Sequence, residues 1–223
     1  LNKKYLVYLV VNQNQNFWMP KMKKIILIVA AYLTSVAHAD SAVLTNFLAN
    51  AKTIKADFSQ TIVTGKKSRT TLGTMEISRP NKFRWEYTQD QQLIVSDAKQ
   101  IYLYDKPLQQ VTIRQLGKSI DKSPAAVLAG ANDLQSAYKV SDVATKAAGL
   151  NWVRIDPKIK NDNNGFQVVL MGFDKQGKLS QMQFTDSFGN KTSISFSNLQ
   201  TGVAIPASDY TFTPPAGVDV LQE

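Results

Sequence analysis

The most informative stretch of the chain, residues 77–87, has the sequence Ile77-Ser78-Arg79-Pro80-Asn81-Lys82-Phe83-Arg84-Trp85-Glu86-Tyr87. Residues 79–81 form a turn signal, because proline fixes its own φ and disfavours the helical conformation of the residue before it. After the turn, Phe83, Trp85 and Tyr87 alternate with charged residues, which predicts a strand with one aromatic face. Such a face belongs either to an ordinary core or to a platform for an apolar ligand. Likewise, Arg79 is either a solvated turn residue or a functional one.

Strand patterns continue on both sides of this stretch. Most are short, alternate apolar with polar residues, and are separated by turns rich in Gly, Asn and Asp. The further predicted strands are 56–62, 72–78, 93–95, 101–104, 111–113, 152–155, 166–173, 179–184, 192–199 and 210–213. About ten strands joined mostly by short turns predict a mainly β protein with one antiparallel sheet. We expect this extended sheet to curl into a half-barrel.

Two segments have helical rather than strand periodicity. Residues 40–54 begin with a capping Asp-Ser pair, and their apolar residues, including Leu48, recur at helical spacing as far as Ile54. In residues 123–130, Ser is an N-cap, Pro124 occupies the first helical position and Gly follows the last turn. This second helix has almost no polar face and therefore needs apolar surroundings. We expect both helices to cover the concave side of the sheet.

The first 39 residues have the order of a secretory signal peptide. Lys23 and Lys24 precede the apolar run 25–33, and Ala37 and Ala39 have the spacing of a signal peptidase site. A buried N-terminal helix is the alternative. We predict an extension from a wrong start-codon assignment at residues 1–21, a signal peptide at 22–39 and one periplasmic domain at 40–223.

Composition disfavours several classes of function. The chain has no Cys, and its one His, His38, lies in the predicted signal peptide. Ser-His-Asp sites, Cys-His sites and the usual zinc sites therefore have no residues to build them, although carboxylate or Ser-Lys chemistry stays open. The predicted mature segment has 21 basic and 17 acidic residues, which are scattered rather than clustered. We therefore predict a protein that is not an enzyme, has no cofactor or metal and does not bind nucleic acid.

Six short segments carry a resemblance to a known family through their order and spacing. They are residues 56–60, 79–85, 94–97, 104–111, 123–128 and 212–218. Together they resemble the periplasmic outer-membrane lipoprotein carrier (LolA) family. The resemblance implies an unclosed antiparallel β-barrel with short helices forming a lid over an apolar cavity. It also implies a chaperone that takes the acyl chains of lipoproteins from an inner-membrane ABC transporter and delivers them to an outer-membrane receptor. We expect a monomer, which suits such a shuttle.

The resemblance also assigns roles to individual residues. Arg79 matches the arginine that hydrogen-bonds the lid backbone and locks the closed form. The residues assigned to the acyl-chain cavity or lid are Leu48, Phe58, Phe83, Trp85, Pro124, Val127 and Leu128. Three alternatives differ in class. A lipoprotein-sensing regulatory domain has a similar fold, a receptor lipoprotein needs an anchoring Cys that this chain lacks, and a lipid hydrolase needs catalytic residues that it does not show.

Overall fold

A computed structural model of the protein describes residues 41–116, 128–130, 138–158, 167–186 and 189–223. All of them belong to the compact unit Ala37–Glu223. The predicted extension and signal peptide at 1–39 lie outside the described residues, as do Pro124 and Val127. Within the described residues, no helix is long and apolar enough to cross a membrane.

One complete helix and twelve strands make up most of the regular structure of the described residues. They are α1 (Ala42–Asn50), β1 (Thr53–Thr64), β2 (Lys67–Ser78), β3 (Lys82–Tyr87), β4 (Gln92–Asp97), β5 (Gln100–Asp105), β6 (Gln110–Gln115), β7 (Tyr138–Val143), β8 (Asn151–Pro157), β9 (Val168–Phe173), β10 (Leu179–Thr185), β11 (Lys191–Thr201) and β12 (Asp219–Gln222). Short 3₁₀ turns occur at Ala147–Gly149 and Ala207–Tyr210, and Leu116, Leu128 and Ala129 are also helical.

All twelve strands belong to one sheet, in the order β12-β6-β5-β4-β3-β2-β1-β11-β10-β9-β8-β7. Neighbours are antiparallel except β12, which runs parallel to β6. Among the described residues β12 and β7 are the two edges of this sheet. The predicted mainly β architecture, with one unclosed sheet and few helices, is confirmed.

The sheet has two differently covered faces. We call the face that carries Phe83 and Trp85 the inner face; it holds the main apolar cluster, into which α1 inserts Leu44, Phe47 and Leu48. The opposite, outer face is polar over much of β1. Over β4 to β6 the outer face carries Val95, Tyr102, Tyr104 and Val111. Residues 202–223, which we call the C-terminal segment, place Phe212 against the two tyrosines and then join the edge of the sheet as β12.

Gly73 shows how closely the inner face is packed. It lies opposite Phe58 on β1 and Tyr87 on β3. A Cβ atom at Gly73 would come within 2.1 Å of the Glu86 carbonyl oxygen and 2.4 Å of the Phe58 ring. The absence of a side chain therefore allows the Phe58 ring to lie directly over the β2 backbone.

Several element boundaries differ from the predictions. The helical pattern was expected to reach Ile54, but α1 ends at Asn50 and Ile54 is a buried residue of β1. The predicted strand 210–213 is wrong, because Tyr210 ends a 3₁₀ turn and the last strand, β12, follows the two prolines. Strand β7 was missed, since its alternation is weak and half-exposed.

Candidate functional site

The inner face of β1, β2 and β3 forms one apolar wall. Register places Ile77 beside Phe83 and Met75 beside Trp85, and it aligns Ile54 and Ala56 with them on β1. The rings of Phe58 and Trp85 lie 4.6 Å apart at their centroids. Alternation in each strand directs these side chains inward, so the wall is continuous across three strands.

The predicted cavity residues that the structure describes lie together. Leu48, Phe58, Phe83, Trp85 and Leu128 all belong to the main apolar cluster and are at most 8% exposed. In this structure their side chains pack against one another. Their roles in acyl-chain binding stay predictions.

The second half of the wall was not among the predicted site residues. It comes from β8 to β11 and continues the apolar cluster across the sheet. Its buried members are Val153, Ile155, Val169, Met171, Phe173, Leu179, Met182, Phe184 and Ile194. Alternation within four correctly predicted strands would have identified most of these residues.

The inner face is covered by α1 and residues 128–130, which we call the inner cover. Phe47 of α1 packs edge-on against Phe173 at 5.5 Å between ring centroids. Leu128 and Ala129 are fully buried, and both are helical, with Gly130 following them. A groove of about 370 Å³ runs along α1, lined by Asn46 and Asn50 among others. The apolar side of α1 therefore packs on the inner face, and its polar side borders the groove.

Arg79 joins the two parts of the inner cover. Its guanidinium donates to the Gly130 carbonyl at 3.0 Å (Nη2) and 3.3 Å (Nε), and to the Leu48 carbonyl at 3.4 Å (Nη1). None of the ion pairs formed between described residues involves Arg79. Burial lowers the pKa of the Arg79 guanidinium, which nevertheless stays protonated. The cation lies at the last turn of α1, where carbonyl groups lack helical partners and attract positive charge.

Backbone contacts of the same turn reinforce this connection. The Asn81 N–H donates to the Ala129 carbonyl at 2.6 Å, and the Arg79 N–H donates to the Lys52 carbonyl at 2.8 Å. The Ser96 hydroxyl donates a hydrogen bond to the Asn81 carbonyl at 2.7 Å. Asn81 has a φ of 68°, a conformation that asparagine tolerates better than most residues. The sequence marked a turn here but gave no sign that its backbone binds the cover.

The chemical character of the inner face follows from the groups that converge on it. Within the described residues, no group of three or more His, Cys, Asp or Glu side chains could hold a metal ion. What converges on the inner face is apolar surface, together with a cation that binds carbonyl groups of the two pieces covering it.

Comparison with known proteins identifies the family. The family Outer membrane lipoprotein carrier protein LolA matches residues 49–213. Proteins named outer-membrane lipoprotein carrier protein are 44% identical in Dechloromonas aromatica, over 86% of this chain and 93% of the relative, and 45% identical in Chromobacterium violaceum, over the same shares. The corresponding protein of Neisseria gonorrhoeae is 41% identical over 87% of this chain and 94% of its own.

The chain belongs to the LolA family. The resemblance drawn from six sequence segments is thereby confirmed. The family match contains Arg79 and every predicted cavity residue except Leu48, which lies one position before it. Among solved structures, a LolA superfamily protein from Nitrosomonas europaea aligns with a TM-score of 0.46 and 8% identity, over 78% of this chain and 97% of that one.

Proposed function

We propose that this protein carries the acyl chains of outer-membrane lipoproteins across the periplasm. The observation that carries the proposal is an apolar inner face closed by two separate pieces of chain, both held by the guanidinium of Arg79. Membership of a family whose relatives are named outer-membrane lipoprotein carrier proteins supports the same function.

A carrier has to bind acyl chains and still release them. Burying a CH₂ group contributes about 0.8 kcal/mol, so a fully enclosed ~16-carbon chain gains on the order of 12 kcal/mol. Several such chains in a rigid open cavity would be held too tightly for transfer. Here the cargo has to displace Leu48 and Leu128 from the inner face and separate Arg79 from its carbonyl acceptors. These contacts re-form on release and offset part of the binding energy.

We place Arg79 as the residue that locks the inner cover. Arg79→Leu should favour the open form, because leucine cannot donate hydrogen bonds to the Leu48 and Gly130 carbonyls. Cargo then has less competition for the inner face and is released less completely. Among the other predicted residues, Leu48, Phe58, Phe83, Trp85 and Leu128 would contact the acyl chains.

The same proposal includes a location and two partners. Residues 22–39 would direct export and leave a monomeric periplasmic domain at 40–223. An inner-membrane ABC transporter would load the carrier and an outer-membrane receptor would unload it. The sequence has no phosphate-binding loop, so the energy of ATP hydrolysis would come from the transporter. A carrier without catalytic function should not hydrolyse a chromogenic acyl ester.

Native mass spectrometry of the purified protein with a triacylated lipoprotein tests the proposal. We expect a one-to-one complex with the acylated cargo and none with its delipidated form. Equal binding of both forms would contradict acyl recognition. Arg79→Leu should retain cargo when the receptor is added, whereas Arg84→Leu, an outer-face change on β3, should release it normally. Normal release from Arg79→Leu would contradict the locking role.

A further inference from the structure

The inner face changes from apolar to polar along β1 and β2. From the inner cover outward, its rungs pair Ile54 with Ile77, Ala56 with Met75, Phe58 with Gly73 and then Gln60 with Thr71. Gln60 and Thr71 are 7% and 5% exposed, so this polar pair is buried. The next residue of β1 that faces the same side, Ile62, lies further from the inner cover and is 38% exposed. The polar rung therefore lies where the apolar interior meets solvent, about 20 Å along β1 from Ile54.

Hydrogen-bond donors lie at this rung and on the neighbouring strand β3, where Tyr87 is one rung and Trp85 two rungs nearer the inner cover. The Tyr87 hydroxyl donates to Gln60 Oε1 at 3.2 Å, which leaves the two amide N–H groups of Gln60 as further donors. Thr71 Oγ1 is buried and has no hydrogen-bond partner among the described residues. The Trp85 indole N–H likewise has no hydrogen-bond partner there. Its nearness to the Tyr87 hydroxyl lowers the pKa of that group less than burial raises it.

Unpaired buried polar groups are costly and are uncommon in native proteins. Indole and amide N–H groups can only donate, so a ligand that satisfies them has to accept. Tyr87, which donates to Gln60, also lines a surface groove of about 560 Å³, so this groove reaches the residue next to the polar pair. The missing partner is therefore an acceptor on a molecule whose apolar part lies deeper on the inner face.

We infer that Gln60, Thr71 and Trp85 form a binding site for the ester carbonyl oxygens of a glyceride-type acyl ligand. The inference rests on the proposed function and adds to it a position for the polar linkage. An ester oxygen accepts and cannot donate, which matches the surplus of donors. With the carbonyls bound at the polar rung, the acyl chains extend along Phe58 and Trp85 towards the inner cover. The site fixes the depth of insertion and favours esters over ethers of equal length.

Displacement of a fluorescent fatty-acid probe from the full protein tests the site. Two competitors are compared: a dipalmitoylglyceryl-cysteinyl peptide and its dihexadecyl ether analogue, which has the same chain length but no ester carbonyl. We expect the ester to bind about tenfold more tightly, the size expected of one or two hydrogen bonds. Equal binding of ester and ether would overturn this site and leave acyl carriage intact. If neither competed, the proposed function would fail together with the site.

Two variants locate the preference at the polar rung. Thr71→Val keeps the size of the side chain and removes its donor, so the preference for the ester should fall to about threefold or less, with binding of the ether unchanged. Thr70→Val is the matched control, because Thr70 is exposed and bonded to Thr61 at 2.8 Å; it should keep the full preference. Circular dichroism checks that both variants fold. A tenfold preference retained by Thr71→Val would overturn the assignment.

Discussion

The inner and outer faces of the sheet are covered in different ways. The inner cover is joined to the Arg79 turn by the side-chain hydrogen bonds of Arg79, at 3.0 to 3.4 Å, and by one backbone bond from Asn81. The C-terminal segment on the outer face ends in a strand ladder between β12 and β6. Its Phe212 ring lies 5.6 Å from both Tyr102 and Tyr104.

The difference indicates which cover is able to open. Side-chain hydrogen bonds to carbonyl groups are exchanged for water at little net cost, about 0.5–1.5 kcal/mol for a neutral pair and more for a charged donor. A ladder of backbone bonds that follows packed aromatic rings opens only as a unit. We therefore interpret the inner cover as the movable element and the C-terminal segment as a permanent part of the sheet.

Removal of Tyr210 should have the largest effect. Tyr210 is 3% exposed and anchors the C-terminal segment beneath β3 and β4. Tyr210→Ala should lower the free energy of unfolding by about 3–5 kcal/mol, as expected for loss of a buried aromatic side chain. Tyr210→Phe is the control: the hydroxyl is buried without a partner among the described residues, so its removal should leave stability equal or raise it by about 1 kcal/mol. Urea denaturation measures both.

The stability at alkaline pH is a second test of the role of Tyr210. Burial, with smaller effects of Glu76 and Asp209, raises the pKa of the Tyr210 hydroxyl. The folded state therefore prefers the protonated form, and stability should fall as the pH rises above about 10, the ordinary tyrosine pKa. Tyr210→Phe should lose less stability over this range. Burial also raises the pKa of Tyr87 on the inner face. Tyr210→Phe keeps Tyr87 and should therefore still lose some stability at alkaline pH. Identical alkaline profiles would contradict the assignment to Tyr210.

Arg79→Leu should act locally on the inner cover. Loss of the guanidinium hydrogen bonds should make opening of α1 easier by about 2 kcal/mol, or roughly 30-fold. Hydrogen exchange followed by mass spectrometry should show faster exchange at Ala42–Asn50 and unchanged exchange at Asp219–Gln222. Arg84→Leu removes an outer-face arginine that is paired with Glu86 at 3.1 Å and should alter neither segment. Equal acceleration of both segments would mean that the two covers open together.

Local sequence patterns predicted the strands and buried residues of the inner face well. Alternation marked Phe83 and Trp85 as one face, and the structure buries both in the main cluster. Turn chemistry located Arg79, but its acceptors on Leu48 and Gly130 lie 31 and 51 residues away in the chain. Such long-range partners do not arise from periodicity. Here the family resemblance, rather than the strand pattern, predicted that the arginine binds the lid backbone.

The outer side was predicted poorly for a physical reason. The sequence predicts the last strand at 210–213, ended by the two prolines that follow. In the structure Tyr210 is buried and Phe212 packs against Tyr102 and Tyr104, and neither residue pairs in a strand ladder. β12 is a short edge strand whose residues are all exposed, so no burial period marks it. Tertiary packing overrides weak local preference in such segments.

Phe212→Ala tests whether ring packing holds the C-terminal segment. Aromatic pairs contribute about 0.5–1.5 kcal/mol beyond the burial of their surface. Phe212 is only half-buried, so the variant should lose about 1.5 kcal/mol of unfolding free energy, less than Tyr210→Ala. Hydrogen exchange should rise at Asp219–Gln222 and stay unchanged in α1. Leu108→Ala is the control: this side chain is 69% exposed and its removal should change stability by less than about 0.5 kcal/mol.

The ion pair between Arg114 and Glu223 should contribute least to the C-terminal segment. Its Nε and Oε2 atoms lie 2.7 Å apart, but the two side chains are 37% and 54% exposed. Solvent and salt screen such a pair, so Arg114→Gln should cost under about 1 kcal/mol and less at high salt. Arg154→Gln, which breaks a partly exposed pair with Asp156 on β8, should cost as little. If Arg114→Gln alone accelerated exchange at Asp219–Gln222 by more than about tenfold, the outer cover would also be held by a polar side-chain contact, and the contrast with Arg79 would disappear.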